Sequence, residues 1–193
     1  ETYVNIPKII YYGVKWFKSI GTENSTGTKV FVLGGKTNNV GLVEVPFGVT
    51  LRELIEDIGG GIVDGRQFKA AQIGGISGGC ISNRNLDIKV DYDNLLNLGF
   101  MLGTGGLVVM DENNCMVELA KFYMTFITKV SCGKCTPCRI GTKRMLEILE
   151  KITSGIGEEK DLEKLENLAI YIRDNALCRI GRTAPNIVLS TIK

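Results

Sequence analysis

Short apolar runs in the first half of the chain predict β-strands. Four such runs are bounded by glycine, asparagine or proline, and they lie at residues 30–33, 42–45, 68–73 and 107–110. Between the second and third runs, Thr50 is placed to cap a short helix over residues 51–58, and Glu53 completes a capping box. The order strand, strand, helix, strand predicts a small β-grasp-like sheet with one helix packed on a face of it.

Longer stretches repeat their apolar residues every three or four positions, and this period predicts amphipathic helices. The first such helix covers residues 5–18, with Asn5 as its cap and Pro7 in its first turn. Its aromatic residues are interpreted as core or interface side chains: Tyr11, Tyr12 and Trp16. Residues 95–106 contain no comparable repeat and are expected to form a connecting region.

The second half of the chain predicts four further helices, at 115–128, 139–152, 161–174 and from Pro185 onward. Residues 111–114 offer caps for the first of them. Because short connections join these helices, we expect a small antiparallel bundle. The predicted fold class is therefore α+β, a β-grasp domain of the soluble-ligand-binding type followed by an antiparallel four-helix bundle. The corresponding regions are an N-terminal helix, the β-grasp domain with its connector, and the helical domain: 1–20, 21–110 and 111–193.

Composition narrows the class of protein. Of the 193 residues, 44% are hydrophobic and 23% are charged, and the formal net charge is +2. There is no long basic run, so the charge pattern of a nucleic-acid-binding protein is absent, and no apolar stretch approaches the roughly 18 residues of a membrane span. The chain contains no histidine, which excludes a His-dependent triad and a His-ligated metal. It starts at Glu1 without a targeting segment, so we expect a piece of a longer, cytoplasmic protein.

The candidate chemistry lies in one cysteine-rich stretch and one distant cysteine. Cys132, Cys135 and Cys138 are three residues apart, so a compact loop can turn all three thiols toward one centre. Cys178 follows the predicted helix 161–174. Because that helix is expected to run antiparallel to the helix before it, its C-terminal end should bring Cys178 close to the other three thiols. Three close cysteines and a remote fourth are typical of a [4Fe–4S] site.

The residues around the three cysteines favour a loop followed directly by a helix. Thr136 is expected to be the N-cap and Pro137 the first helical residue, where a missing N–H group costs nothing. The thiols would then lie at the positive end of a helix whose free N–H groups can donate to sulfur. Gly133 permits backbone conformations that a β-carbon would resist.

Two alternatives to an iron–sulfur site remain open at this point. A structural zinc also takes four cysteines, although usually as two separated C-x-x-C pairs, and it would make the chain a zinc-stabilised interaction module. A disulfide framework is disfavoured because six cysteines in 193 residues are sparse and no signal peptide is present. The two remaining cysteines, Cys80 and Cys115, are interpreted as packed thiols.

The glycine-rich segment 74–79 is a second candidate site. Successive glycines can cradle phosphate, and a β-grasp module could hold a small molecule there. The segment lacks the lysine and serine of a P-loop, and it is not a G-x-G-x-x-G between a strand and a helix. We therefore favour a tight structural or docking loop over a phosphate site.

The motif SCGKCTPCR, followed by helices and a remote cysteine, resembles the C-terminal part of the flavin-containing, NADH-oxidising subunit of respiratory complex I. Soluble relatives of that subunit include NAD(P)-linked subunits of iron-only hydrogenases and of formate dehydrogenases. The resemblance covers the whole chain: ETYVNIP is similar to the segment leading out of the flavin domain, residues 28–77 to the β-grasp domain, and residues 115–193 to the cluster-binding bundle. Details such as GLVEVPFGVTLRELI, IGGISGGC, GTGGLVVMDE and APNIVLSTI are closer to the hydrogenase-type branch.

The resemblance implies a function that composition does not. In the family, NAD(P)H and FMN exchange a hydride in an upstream domain, and a [4Fe–4S] cluster passes single electrons between the flavin and other Fe–S carriers. By motif position the cluster ligands would be Cys132, Cys135, Cys138 and Cys178. The FMN and NAD(P) sites would lie outside this chain, so the resemblance implies no catalytic residue here and no NADH oxidation by this piece alone. The implied partners are the upstream FMN/NAD domain and the other Fe–S subunits of a hydrogenase or NADH dehydrogenase complex.

Two positions depart from the family pattern. Ile140 replaces the usual acidic residue after the arginine, and Arg179-Ile180 replaces the commoner Gly-Leu after the last cysteine. Neither change removes a ligand. Both are expected to affect the cluster potential or partner docking, because Arg179 adds a positive charge close to an anionic cluster.

Overall fold

A computed structural model describes residues 2–192 of the chain. The chain divides into two compact units. The first consists of the residues up to Gly75 together with Ile81–Asn113. The second consists of Ile76–Cys80 together with the chain from Asn114 onward. Ile76–Cys80 is thus separated in sequence from the rest of its unit.

A five-stranded mixed sheet lies mostly in the first unit, although Gly79 and Cys80 of its fourth strand in chain order belong to the second unit. Its strands are β1 (Thr28–Gly35), β2 (Gly41–Pro46), β3 (Phe68–Ile73), β4 (Gly79–Ser82) and β5 (Gly106–Asp111), in the spatial order β2-β1-β5-β3-β4. β1 is antiparallel to β2 and parallel to β5, and β3 is antiparallel to β5. The four predicted strands are confirmed. β4 was missed because it follows directly on the glycine-rich segment, which hides its apolar run.

Side chains along the strands alternate between the buried core and the solvent-exposed face of the sheet. In β1, Phe31 and Leu33 are buried while Val32 between them is 54% exposed, as the two-residue period of a strand requires. One hydrophobic cluster forms the core of this unit, and its largest fully buried members include Phe31, Leu51, Leu54, Ile55, Ile73, Ile81, Leu95 and Leu107.

The predicted capping box between β2 and β3 is confirmed. The Thr50 N–H donates to Glu53 Oε2 at 2.7 Å, and the Glu53 N–H donates to Thr50 Oγ1 at 3.1 Å. From Glu53 to Ile58 the turn is π-helical, since the Gly59 N–H donates to the Leu54 carbonyl five residues back. The helix predicted over 51–58 is therefore present but wider than an α-helix in its second part.

The N-terminal helix differs from the prediction. It begins at Thr2, not at an Asn5 cap, and Gly13 divides it into α1 (Thr2–Tyr12) and α2 (Val14–Lys18). Gly13 has φ 87°, a left-handed conformation that an α-helix cannot continue through. No residue of either helix is buried.

Two further predictions for the first unit need correction. Of the three aromatic residues interpreted as core or interface side chains, Tyr11 and Tyr12 lie outside the core, at 80% and 52% exposure, and Trp16 is half-buried. Their place at an interface stays a prediction. The region 95–106, expected to be only a connector, begins inside α3 (Tyr92–Asn97), whose N-cap Asp91 accepts from the Asn94 N–H at 2.8 Å. Short 3₁₀ turns lie at Val63–Gly65, Gly75–Ser77 and Asn83–Asn85.

The second unit is helical. Its helices are α4 (Met116–Val130), α5 (Thr136–Thr153), α6 (Glu159–Asn175), α7 (Arg179–Thr183) and α8 (Asn186–Ile192), so the described part contains one short helix more than predicted. α5 packs against both α4 and α6. The fully buried side chains between them include Met124, Ile127, Met145, Leu149, Ala169 and Ile172.

The caps offered by residues 111–114 are not used by α4. Cys115 is its N-cap and makes no capping hydrogen bond through its side chain. Asp111 is instead buried in the first unit, where the Arg66 Nη1 group donates to it at 3.0 Å and the Asn113 N–H at 3.1 Å. The molecule is thus a mixed α/β fold with a five-stranded sheet and several helices. None of the helices within residues 2–192 has the length and apolar character that a bilayer span requires.

Candidate metal centre

The cysteine loop connects two helices of the second unit. α4 ends at Val130 and α5 begins at Thr136, so Cys132 lies in the connection and is exposed. Cys135 is the N-cap of α5, with extended backbone angles (φ −105°, ψ 139°). The predicted cap, Thr136, is the first helical residue instead. Pro137 lies in the first turn of the helix. Backbone N–H groups in that turn have no intrahelical acceptor, so the missing N–H of proline costs no hydrogen bond there.

Cys138 is the buried member of the loop, only 6% exposed. Its Sγ atom lies 3.3 Å from Ser131 Oγ. The Gly133 N–H donates to the same hydroxyl at 3.3 Å, and Gly133 has φ 72°, which confirms that the loop needs glycine there. On the other side, the Thr142 hydroxyl donates to the Cys138 carbonyl at 2.7 Å. These bonds fix the position of the loop relative to the first turn of α5.

Cys178 reaches the same place from the end of α6. It is the N-cap of α7, and its Sγ accepts from the Gly181 N–H at 3.4 Å. Gly181 is buried against Cys138: a β-carbon added to it would lie 3.4 Å from the Cys138 Cβ and 2.8 Å from the Ala176 Cβ. The absence of a side chain at Gly181 therefore lets α7 approach Cys138 closely.

All four predicted cysteines line one cavity of about 70 Å³. The structure thus brings together the residues that the spacing singled out, across 46 positions of sequence from Cys132 to Cys178. The other lining residues come from the end of α4, the cysteine loop and α7: Val130, Ser131, Lys134, Ile180 and Gly181. Sequence reasoning missed Ser131 and Gly181, although each lies close in sequence to a predicted cysteine.

Backbone donors and one nearby cation lower the pKa of Cys135 and so favour its thiolate form. The pKa of Cys135 lies below its ordinary value, first because the Leu177 N–H donates to the sulfur and then because the Cys138 N–H does so. The positive charge of Arg139 lowers the same pKa further. A lowered thiol pKa favours the deprotonated form that binds metals.

The donor set is compatible with an anionic iron–sulfur group. Four cysteine thiols surround a common space, N–H groups point at two of the sulfurs, and a serine hydroxyl contacts a third. Within residues 2–192, no three His, Cys, Asp or Glu side chains converge as ligands of one metal ion. A cubane cluster does not require such convergence, because each thiolate binds a different iron atom, whereas one tetrahedral zinc requires all four sulfurs at about 2.3 Å from one point.

The two remaining cysteines do not line the cavity. Cys80 is buried, as predicted, and burial raises the pKa of its thiol to about 12. Cys115 is exposed, so the prediction of a packed thiol was wrong there. All six cysteines are free thiols, which removes the disulfide framework as an explanation of their spacing.

The glycine-rich segment is held by structural contacts within the second unit. The Thr183 hydroxyl lies 3.2 Å from the Ser77 hydroxyl, and Asn186 Nδ2 donates to the Ser77 carbonyl at 3.1 Å. The Cys80 N–H donates to Ser190 Oγ at 2.9 Å. These contacts support the structural interpretation of the segment over a phosphate site.

Comparison with known proteins also indicates an iron–sulfur-binding region in this part of the chain. Residues 118–193 match the family described as the NADH-ubiquinone oxidoreductase-F iron-sulfur binding region. The whole chain is 55% identical to the NADP-reducing hydrogenase subunit HndC of Solidesulfovibrio fructosivorans, of which it covers 39%. Over 94% of its length it is 42% identical to the F 2 subunit of the NADH-quinone oxidoreductase of Rhizobium meliloti, of which it covers 43%. The chain therefore spans about two fifths of the length of these relatives.

A solved structure has the same fold over nearly the whole chain. The crystal structure of an NAD⁺-reducing [NiFe]-hydrogenase in the H2-reduced state superposes with a TM-score of 0.83 and 29% sequence identity. The match covers 96% of this chain and 30% of the hydrogenase chain. Both units of the chain thus have counterparts in a larger redox enzyme.

Proposed function

Because this chain belongs, through residues 118–193, to the family of the NADH-ubiquinone oxidoreductase-F iron-sulfur binding region, we propose that Cys132, Cys135, Cys138 and Cys178 hold a [4Fe–4S] cluster. The observation that supports this most directly is that all four thiols line one cavity. When bound, such a cluster supplies one-electron transfer. The chain would then be the electron-relay portion of an NAD(P)H-dependent oxidoreductase.

The residues of the chain would hold and tune the group in distinct ways. Cys135 and Cys178, both at helix N-caps, present sulfur to free N–H groups, which stabilise negative charge. Cys138 is buried, so its side of the cavity excludes water. Val130 and Ile180 provide apolar walls. Hydrogen bonds to sulfur and limited solvent access are the means by which a protein sets the potential of such a group.

The proposed electron relay would be one part of a larger protein. The relatives are subunits of an NADP-reducing hydrogenase and of an NADH-quinone oxidoreductase, and the chain covers only about two fifths of each. We therefore propose that FMN and NAD(P) bind outside this chain and that it exchanges electrons with other Fe–S subunits. By itself it would not oxidise NADH.

We also propose a specific fold for each of the two units. The first unit would be a β-grasp module, since its mixed sheet pairs β1 in parallel with β5 and packs a capped helical turn into the core. The second unit would be an antiparallel helical bundle, because short connections join α4, α5 and α6, and each of these helices contacts the next one along the chain. A cytoplasmic location is consistent with six free thiols.

Iron and acid-labile sulfide analysis after anaerobic reconstitution tests the proposal, together with EPR of the reduced sample. We expect about four irons and four sulfides per chain, as a cubane requires. Cys178→Ser should abolish the reduced-cluster signal, whereas Cys115→Ser, at an exposed thiol outside the cavity, should leave it intact. One tightly bound zinc and no paramagnetic signal would instead establish a zinc-stabilised interaction module.

A further inference from the structure

The sulfurs that line the cavity differ in the kind of group that donates to them. Cys135 Sγ accepts from the N–H groups of Leu177 and Cys138, and Cys178 Sγ accepts from the Gly181 N–H at 3.4 Å. All of these donors belong to the backbone. An ordinary side-chain substitution therefore leaves them in place, together with what they contribute to a bound group.

Cys138 is different, because its donor is a side chain. Its Sγ atom lies 3.3 Å from Ser131 Oγ. The Thr142 hydroxyl, which also bonds to this residue, donates to the carbonyl oxygen of Cys138 and not to its sulfur. Within residues 2–192, no side chain other than that of Ser131 hydrogen-bonds to any of the four cavity sulfurs. Ser131 is thus the one donor that a substitution can remove.

The contacts around Ser131 also fix the direction of this hydrogen bond. The Gly133 N–H donates to Ser131 Oγ at 3.3 Å, so the oxygen already uses one lone pair as an acceptor. A cysteine that binds a metal is a thiolate and has no proton to give. The hydroxyl of Ser131 carries a single proton. In the metal-bound state Ser131 is therefore the donor and the Cys138 sulfur is the acceptor.

The donor is held in place, and its acceptor is shielded from water. The Ser131 N–H donates to the Ile127 carbonyl at 3.0 Å, which ties the residue to the end of α4. Ser131 is half-buried, and Cys138 is only 6% exposed. Because water has little access to this sulfur, it would not readily replace the hydroxyl after a substitution. The loss of the hydroxyl should therefore be felt in full by a group bound to Cys138.

We propose that Ser131 raises the reduction potential of the bound cluster by donating its hydroxyl proton to the Cys138 sulfur. The proposal rests on the proposed function, because it requires a cluster that is bound through Cys138. Reduction adds one negative charge to the cluster, and a hydrogen bond to its thiolate stabilises the more negative form. Ser131 acts through Cys138 and is therefore a positioning residue. It contributes to the potential separately from the backbone donors at Cys135 and Cys178.

A redox titration of the cluster-loaded chain, followed by EPR, measures this contribution. At the midpoint potential of the parent chain, the oxidised form of Ser131→Ala should exceed its reduced form about tenfold, which corresponds to a fall of about 59 mV for a one-electron couple. Ser131→Thr keeps the hydroxyl and should stay within about twofold of the parent ratio. The matched control is Ser154→Ala, because the Ser154 hydroxyl donates to the Lys151 carbonyl at 2.9 Å and lies outside the cavity. This control should leave the ratio unchanged.

An unchanged ratio in Ser131→Ala would overturn the proposal. An equal fall in Ser131→Thr would also overturn it, because the effect would then come from packing at this position and not from the hydroxyl. Complete loss of the cluster from Ser131→Ala would show that the residue only holds the loop. Iron and sulfide analysis of the parent chain separates these results from failure of the proposed function: a parent chain with its full cluster and an unmoved ratio in Ser131→Ala refutes the role of Ser131 alone.

Discussion

At Gly181, the lack of one methyl group decides how closely α7 approaches Cys138. An added β-carbon would lie 2.8 Å from the Ala176 Cβ, closer than unstrained carbon atoms pack. We expect Gly181→Ala to push α7 away and to cost about 1–3 kcal/mol of stability, the usual cost of overpacking. The reconstituted variant should contain less iron per chain. Gly34→Ala is the control, because a β-carbon there would meet no atom within 4 Å. Equal iron content in the two variants would contradict this account.

At the same scale, the cysteines were predictable and their supports were not. The spacing of Cys132, Cys135 and Cys138 indicates a shared centre, and the structure brings Cys178 to the same cavity. Gly181 could not be identified from the sequence, because its importance depends on the contact of α7 with α5, which no local pattern encodes. Thr136 was predicted as the cap from its residue type. The chain instead extends its backbone at Cys135, where backbone donors contact the sulfur.

At the scale of the elements, α6 begins with a capping box that should make its stability depend on pH. Lys151 Nζ lies 2.7 Å from Asp161 Oδ2, and the Glu158 N–H donates to the same oxygen at 2.9 Å. The ion pair is the main reason that the pKa of Asp161 is lowered to about 2, and the backbone donor adds to it. Because the folded pKa lies below the unfolded value of about 3.9, the carboxylate stabilises the fold above pH 4, and this stabilisation is lost as the pH falls toward 2.

Asp161→Asn should therefore lower the thermal midpoint most above pH 4, and the difference from the parent chain should narrow as the pH approaches 2. Thermal unfolding followed by circular dichroism over this range measures the effect. Glu163→Gln is the matched control, because Glu163 is exposed on the same helix and forms no ion pair within residues 2–192. A difference that stays constant with pH would show that the carboxylate charge is not what stabilises the start of α6.

Elements with a strong local signal were predicted well, and those without one were not. The runs that became β1, β2, β3 and β5 have both apolar residues and turn residues at their ends. β4 has only four residues after a run of glycines, and its pairing is determined by its neighbour in the sheet. The division of the N-terminal helix depends on the left-handed conformation of Gly13, which periodicity alone does not reveal.

At the scale of the whole molecule, the order of strands and helices along the sequence did not predict the placement of Ile76–Cys80. This segment groups with the helical unit because Ser77 and Cys80 hydrogen-bond to residues of α7 and α8 more than one hundred positions later. Contacts of that sequence separation depend on the folded topology and leave no period or motif in the chain. The glycine-rich composition of the segment pointed only to a loop.

Each unit has a hydrophobic core of its own, so core substitutions should act locally. Phe31 is fully buried in the first unit and Met145 in the second. Phe31→Ala should cost about 3–5 kcal/mol and Met145→Ala about 2–5 kcal/mol, the usual range for such cavities. Native-state hydrogen exchange should show lost protection mainly in β1 and β5 for the first variant, and mainly in α5 and α6 for the second.

The EPR signal of the reconstituted chain provides an independent readout of the same prediction. It should survive Phe31→Ala, because none of the cavity-lining residues belongs to the first unit, and it should weaken in Met145→Ala, because α5 contributes Cys138. If either variant lost protection throughout the chain, the two cores would form one cooperative unit. The sheet would then be necessary for cluster binding as well as for its own stability, although no residue of it lines the cavity.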